Sequence, residues 1–355
     1  MAGRVRRLPE PLTYPSPNLN LRDTLNKGSV LFIALWSLCL LSIFAVYLGL
    51  GVRQKITFVD RINSRSSLRL IAEAGVKQAI AELRKKEPAE YDALNEAWSN
   101  NPGIFKQVSV GYGEFNVCYD YLDYKSGKLQ TRYGLLDEER KLNINEEDLN
   151  TIQRLIAVVT GLEEVEAQNL AAAIVDWRDS DSALSIPSGS AEDRYYRNLS
   201  VPYEAKDADY EVLDELLLVR GMSQKILDKL KNYISIHSSG KVNINTASAE
   251  VLFALNLGSE LIDKIISFRR GKDGVEATED DNIFSSPSNI VEELNRFSEL
   301  SDTESSKLSS LISSGKISTN SNNFMVRSIA YLDEQKSEIV CTFDREGKIL
   351  SWKEE

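Results

Sequence analysis

From Gly28 to Val52 the chain carries no charge, reading SVLFIALWSLCLLSIFAVYLGLGV after the glycine. About 20 apolar residues span the hydrocarbon core of a bilayer, so this run is long enough to cross one. Apolar positions then continue at helical spacing through Ile56, Val59, Ile62, Leu68, Ile71, Val76, Ala79, Ile80 and Leu83, and no proline occurs between Ser29 and Glu87. The pattern predicts one helix over 29–87, roughly 85 Å long, with its first half in lipid and its second half packed on a soluble body. Asn101-Pro102-Gly103 then predicts a turn. From Val108 to Tyr121 the period changes to two, with aromatic and β-branched residues, and predicts strands. Leu129 to Leu136 is a less regular strand candidate. Phe324–Tyr331, Ser337–Phe343 and Lys348–Trp352 predict three more, with Asp333–Lys336 as a turn. Strands near 110 and 340 with helical patterns between them predict a single sheet interrupted by a large insertion.

The insertion contains a repeat. Lys141-Leu142-Asn143-Ile144-Asn145 and Lys241-Val242-Asn243-Ile244-Asn245 each precede a helical pattern. Each pattern ends in an apolar-Arg stretch, Ile174-Val175-Asp176-Trp177-Arg178 in the first copy and Ile265-Ile266-Ser267-Phe268-Arg269 in the second. This predicts two related helical units packed together. The second copy resembles a helix-hairpin-helix module, with Asn256 where the first hairpin glycine is expected. Leu218-Val219-Arg220-Gly221-Met222-Ser223 is a further hairpin-like stretch. In DNA-binding hairpins such turns offer backbone N–H groups to phosphate. Here acids outnumber or match the bases, and no basic stripe with interleaved aromatics is present. Reuse of the module for packing or partner binding is the preferred reading, and a membrane-anchored DNA-uptake protein is the alternative.

Charge orients the chain. The first 28 residues are net +3, which keeps that end cytoplasmic and places the body outside; the remainder is near −14. So acidic a surface repels phosphate backbones and anionic lipid, so no nucleic-acid partner is expected. The run is too long for a signal-peptide core and no small-residue cleavage site follows it, which leaves a plain signal anchor as the bland reading. Cys39 lies in the apolar run. Cys118 and Cys341 lie in strand-like segments and leave two readings open, a disulfide or two buried thiols. His237 is the only histidine and no Cys-x-x-Cys occurs, so zinc sites and histidine-based triads are excluded. No nucleophile–base pair, phosphate loop or redox motif is present, and no enzymatic activity is expected.

Residues 176–215 are acidic and loop-rich, with eleven acids against four bases. Crowded carboxylates repel one another, and a hard cation that takes six to eight oxygens relieves the repulsion. The spacing is not that of an EF-hand loop, and a solvated acidic loop is the other reading.

Several of these stretches together resemble a known family. Lys27-Gly28 before Ser29-Val30-Leu31-Phe32-Ile33 resembles a prepilin peptidase site. Ile33 stands where most pilins carry a glutamate, a departure shared by the K-type minor pseudopilins of type II secretion. Ala72-Glu73-Ala74-Gly75-Val76, then Asp176-Trp177-Arg178-Asp179-Ser180-Asp181, Gly189-Ser190-Ala191-Glu192-Asp193, Pro202-Tyr203 and the run from Leu213 to Met222 resemble type II secretion system protein K in order and spacing as far as about residue 270. The resemblance implies an α+β fold in which a pilin-like long helix packs on an antiparallel sheet and an inserted all-α domain carries helix-hairpin-helix or SAM-like repeats. The parts would be a prepilin leader (1–28), the long helix (29–87), the first part of the sheet domain (88–140), the inserted domain with two related units (141–270), a Ser- and Asp-rich variable region reading as a loose insertion with a short helix (271–323), and strands completing the sheet (324–355). It also implies cleavage between Gly28 and Ser29, and calcium as the bound cation with Asp179, Asp181, Glu192 and Asp193 as the best ligand candidates. Whether Asp137, Glu138 or Asp207 joins them is left open. The implied function is non-catalytic: a minor pseudopilin at the tip of a pseudopilus, with other minor pseudopilins, the major pseudopilin and the prepilin peptidase as partners. The implied location is the bacterial inner membrane, single-pass, with a periplasmic body.

Overall fold

A computed structural model describes residues 21–85, 90–124 and 126–355, with side chains from Ser29 onward. The first twenty residues of the expected leader lie outside the described residues. Helix α1 (Leu21–Leu83) runs unbroken through Gly28 and Ser29. It supplies the described part of a first unit, ending at Asn63, and opens a second unit that starts at Ser64. In the first unit the apolar side chains from Val30 to Val52 are exposed, and this helix is the one among the described residues long and apolar enough to cross a membrane.

In the second unit the helix is amphipathic. Leu68, Ile71, Ala72, Val76, Ala79 and Leu83, spaced by three, one, four, three and four residues, are buried in the core of a sheet. A short helix, α2 (Pro102–Phe105), has proline at its start and the Asn101 side chain as its cap, and buries Phe105. Strands β1 (Val108–Val110) and β2 (Gly113–Val117) form a hairpin, as do β3 (Tyr119–Leu122) and β4 (Leu129–Arg132). Then comes β5 (Leu136–Asp137).

The chain next leaves the sheet for a mainly helical region. In order this holds β6 (Leu142–Asn143), α3 (Leu149–Thr160), α4 (Glu164–Arg178), α5 (Asp193–Tyr196), α6 (Gln224–Leu230), β7 (Ile234–Ser235), β8 (Val242–Asn243), α7 (Ala249–Ala254), α8 (Ser259–Arg269), α9 (Ile290–Phe297), α10 (Asp302–Ser313) and β9 (Ile317–Ser318). It returns as β10 (Asn323–Leu332), β11 (Gln335–Asp344) and β12 (Ile349–Glu354). The sheet order is β1-β2-β10-β11-β12, antiparallel throughout, with β5 also paired to β10. β10 is therefore the central strand. Phe324, Val326, Ser328 and Ala330 alternate onto the face covered by the helix. Asp333 and Glu334 make the two-residue turn to β11, with Asp333 at φ 53°. At Gly75 the helix comes so close to β10 that a Cβ would strike the Ser328 hydroxyl and lie 2.9 Å from Phe115 Cδ2.

Three expectations change. The helical region is not purely α, because β6 pairs with β7 and β8 with β9, both parallel. Residues 271–323 are not a loose insertion with one short helix. Phe284, Ile290, Leu294, Leu308 and Ile317 are buried in the same core as the two repeat units, and α9, α10 and β9 form there. Cys118 and Cys341 are free buried thiols. Cys118 follows β2 and Cys341 lies in β11, with β10 between them. Two strand spacings, roughly 9–10 Å, exceed what a disulfide bridges.

The repeat has a side-chain basis. In the first unit the Asn143 side chain accepts from Asn145 N (2.9 Å), and Asn145 both accepts from Tyr210 N (2.8 Å) and donates to Tyr210 O (3.1 Å). In the second, Asn243 accepts from Asn245 N (3.0 Å), and Asn245 exchanges the same pair with Phe284, at 2.9 Å each way. At each helix end an arginine reaches back to the strand: Arg178 donates to Ile144 O and Glu147 O, and Arg269 to Ile244 O and Ala247 O. The hairpin turns also match. Gly161-Leu162-Glu163 and Asn256-Leu257-Gly258 each run from a left-handed residue through a leucine to a helix N-cap, with φ 76° at Gly161 and 66° at Asn256. Asparagine tolerates that conformation better than other non-glycine residues, which accounts for its place there.

A buried polar seam joins the two cores. Asp137 accepts from Thr246 Oγ1 (2.5 Å), Ser321 Oγ (2.8 Å), Asn243 Nδ2 (3.2 Å) and Glu139 N (2.8 Å). Glu138 pairs with Lys141 at 2.6 Å, and Asp92 with Arg345 at 2.6 Å.

Candidate metal centre

Helix α4 ends at Arg178, and Asp179 follows in extended backbone as the residue capping its C-terminus. Asp176, one turn back and fully buried, accepts from Ser185 N at 3.1 Å and so folds the following loop against the helix end. The loop is held further along by Arg220, which donates to Ser190 O at 2.9 Å, and by Asp207 N, which donates to Trp177 O at 3.1 Å. Trp177 packs edge-on against Tyr196 and Tyr203 beneath it.

This folding brings Asp179, Asp181 and Glu192 together, each with a carboxylate oxygen within 4.8 Å of the others. Asp181 is exposed, Asp179 half-buried and Glu192 buried. Asp179 Oδ1 and Glu192 Oε1 are enclosed and accept no hydrogen bond. Burial raises the Asp179 carboxyl, and the charges of Asp181 and Asp176 add to this. Burial, with Asp176, Asp179 and Asp207 nearby, pushes Glu192 up to about 7. Several acids facing one another with enclosed, unpaired oxygens form an environment that a hard cation would relieve, and oxygen ligands at 2.3–2.6 Å from one centre span such separations. The residues present fit calcium.

The fourth candidate is engaged elsewhere. Asp193 caps the return of the loop, accepting from Ala205 N at 2.9 Å and pairing with Arg197 at 2.7 Å. Of the three residues left open, Asp137 and Glu138 belong to the seam, whereas Asp207 is close enough to act on Glu192. Asp176, not among the expected residues, adds its charge beside Asp179 and Glu192 while its carboxylate holds Ser185 N. His237 is half-buried, its backbone N–H donates to Ser235 Oγ at 3.0 Å, and burial lowers its imidazole.

The family model for Type II secretion system (T2SS), protein K matches residues 129–239, which contain the whole acidic loop. Type II secretion system protein K of Aeromonas hydrophila is 40% identical over 107 residues, covering 29% of this chain and 32% of that one. Its counterpart in Pseudomonas aeruginosa is 27% identical over 212 residues, covering 59% and 60%. Over these segments the chain is similar to the type II secretion system protein K family. Among solved structures, a chain of the GspK-GspI-GspJ complex from the enterotoxigenic Escherichia coli Type 2 Secretion System has a similar fold, with a TM-score of 0.61 and 16% identity over 83% of this chain and 99% of that one. The matched segments thus span about a third and three-fifths of the curated relatives. The fold of this chain, helices with an antiparallel sheet, is similar to that of the solved chain.

Proposed function

We propose that this chain is a non-catalytic minor pseudopilin of a type II secretion system. The apolar run from Ser29 anchors it in the inner membrane with its body in the periplasm, after cleavage behind Gly28 by the prepilin peptidase. The body joins other minor pseudopilins at the tip of the assembly, above the major pseudopilin. Its acidic loop binds calcium through Asp179, Asp181 and Glu192, with Asp193 holding the loop in shape. The observation that carries the reading is the family match over 129–239, which falls on the loop where buried carboxylate oxygens lack partners. The likeness to a chain of the GspK-GspI-GspJ complex supports partners of that kind.

The test is assembly. The chain and its candidate minor pseudopilins, expressed together and extracted in mild detergent, should co-purify, and deletion of this chain should abolish secretion. Secretion unaffected by the deletion, or duplex DNA bound with a steep salt dependence, would overturn the proposal in favour of an anchored DNA-binding protein.

A further inference from the structure

The two repeat units differ where the first gathers its acids. Arg178 and Arg269 hold equivalent places, each donating to carbonyls at the start of its own unit. Counting from them sets Asp176, Asp179 and Asp181 of the first unit against Ser267, Arg270 and Lys272 of the second. All three acidic positions become neutral or basic. Both loops nonetheless run to the same endpoint, the backbone of Tyr210 or Phe284, clasped by Asn145 or Asn245.

The second loop contains one buried acid, Glu276, and it has partners within the chain. Glu276, 5% exposed, accepts from Arg269 Nη2 at 2.5 Å and from the Tyr121 hydroxyl. Asp123 pairs with Arg270 Nη2 at 2.9 Å. Asp280 accepts from Lys272 N at 2.7 Å and Asp273 N at 3.1 Å. The contrast with Asp179 and Glu192, whose enclosed oxygens accept nothing, is chemical rather than one of burial.

We infer that Arg269 and Arg270 supply in the second unit the positive charge that a divalent cation supplies in the first, so that the cation response of this protein is confined to residues 176–210. This rests on the calcium reading of the first loop. A guanidinium is charged at every working pH and independent of cation supply, so the second loop stays closed when calcium is withdrawn. The second unit also holds the hairpin β3–β4: Arg270 reaches Asp123, Tyr121 reaches Glu276, Tyr124 reaches Asp263 of α8 at 3.0 Å, and Arg132 reaches Glu276 O at 3.2 Å. The second unit is therefore the fixed joint between the helical region and the hairpin, and the first carries the part that calcium orders.

Hydrogen exchange of the full chain in detergent, in calcium and in EDTA, tests this. Peptides within 179–209 should exchange faster in EDTA, while those within 270–284 and 119–132 stay unchanged. Replacing Arg270 by Gln should speed exchange in 270–284 and 119–132 equally with and without calcium, leaving the response of 179–209 intact. A calcium response in both loops would overturn the inference while leaving calcium binding standing. A response in neither would overturn calcium binding itself, and the inference with it. Unchanged exchange in the Arg270→Gln protein would remove Arg270 from its assigned part.

Discussion

Asp179 and Glu192 face one another across the first loop, each with an enclosed carboxylate oxygen that accepts no hydrogen bond. Two like charges in such a place oppose folding unless a cation or a proton intervenes. Which of the two intervenes depends on calcium and on pH, and each dependence can be measured.

Calcium should raise the melting temperature of the protein and EDTA should lower it. A ligand bound only by the folded state contributes about 2.7 kcal/mol at a hundred times its dissociation constant, which amounts to several degrees. Replacing Asp179 and Asp181 by Asn and Glu192 by Gln together should abolish the shift. Asp193→Asn should keep it but lower the melting temperature in both conditions, because the Ala205 and Arg197 contacts weaken. A melting temperature indifferent to millimolar calcium would remove the cation from this site.

Without calcium, stability should depend on pH through Glu192. Its folded pKa, about 7, lies above the ordinary value of 4.5, so the folded state binds a proton more tightly than the unfolded one. Stability from this group is therefore fully present below about pH 4.5 and is lost as pH rises through 7. In EDTA the melting temperature should fall between pH 5 and pH 8, and Glu192→Gln should flatten that fall. Calcium competes with the same proton, so its affinity should drop below pH 7. Equal slopes for Glu192→Gln and the unaltered protein would assign the titration to another group.

The long helix, the sheet strands and the repeat were legible because each rests on a local pattern. β10 alternates residue by residue, and the two Asn-Ile-Asn segments recur with their flanking arginines. What was not legible depends on residues that meet only after folding. Asp193 resembles its neighbour Glu192 in sequence, but Ala205 N, twelve residues on, claims its carboxylate. Residues 271–323 are rich in serine and acids, yet Phe284 and Leu308 reach a core built by residues more than a hundred positions earlier. A low density of apolar residues hid a segment in which Phe284, Ile290, Leu294, Leu308 and Ile317 are buried.

Gly75 should not tolerate a side chain. Gly75→Ala would drive a methyl group into the Ser328 hydroxyl and Phe115, and overpacking of this kind costs about 1–3 kcal/mol. The Ser328 hydroxyl is itself buried without a partner, so Ser328→Ala alone should be neutral or stabilising. The double variant should recover part of the loss. Additive effects in denaturant unfolding would show that the two residues do not meet.

The mature protein isolated from membranes should begin at Ser29. This follows from the proposed peptidase site at Lys27-Gly28, immediately before the apolar run. Mass spectrometry of the N-terminal peptide reads it directly, with a methyl group on the new amine as a further mark. An intact Met1 end in cells with a working secretion system would exclude this processing.

Ile33 bears on the place of the subunit in a fibre. In the pilin arrangement proposed for it, a glutamate at this position meets the terminal amine of the neighbouring subunit. A bare carboxylate within lipid is costly, by about 2.5–3.5 kcal/mol near the centre on insertion scales, and pairing relieves that cost. Isoleucine needs no such relief and offers no such bond. A subunit with Ile33 can therefore sit with nothing above it, its bulky helical region outward. Ile33→Glu should then either reduce the amount of protein in the membrane or draw the subunit into the shaft, where a neighbouring amine neutralises the charge. Crosslinking along the face of the 64–83 helix would distinguish tip from shaft. Tip crosslinks of unchanged pattern and yield would sever the link between this residue and the capping position.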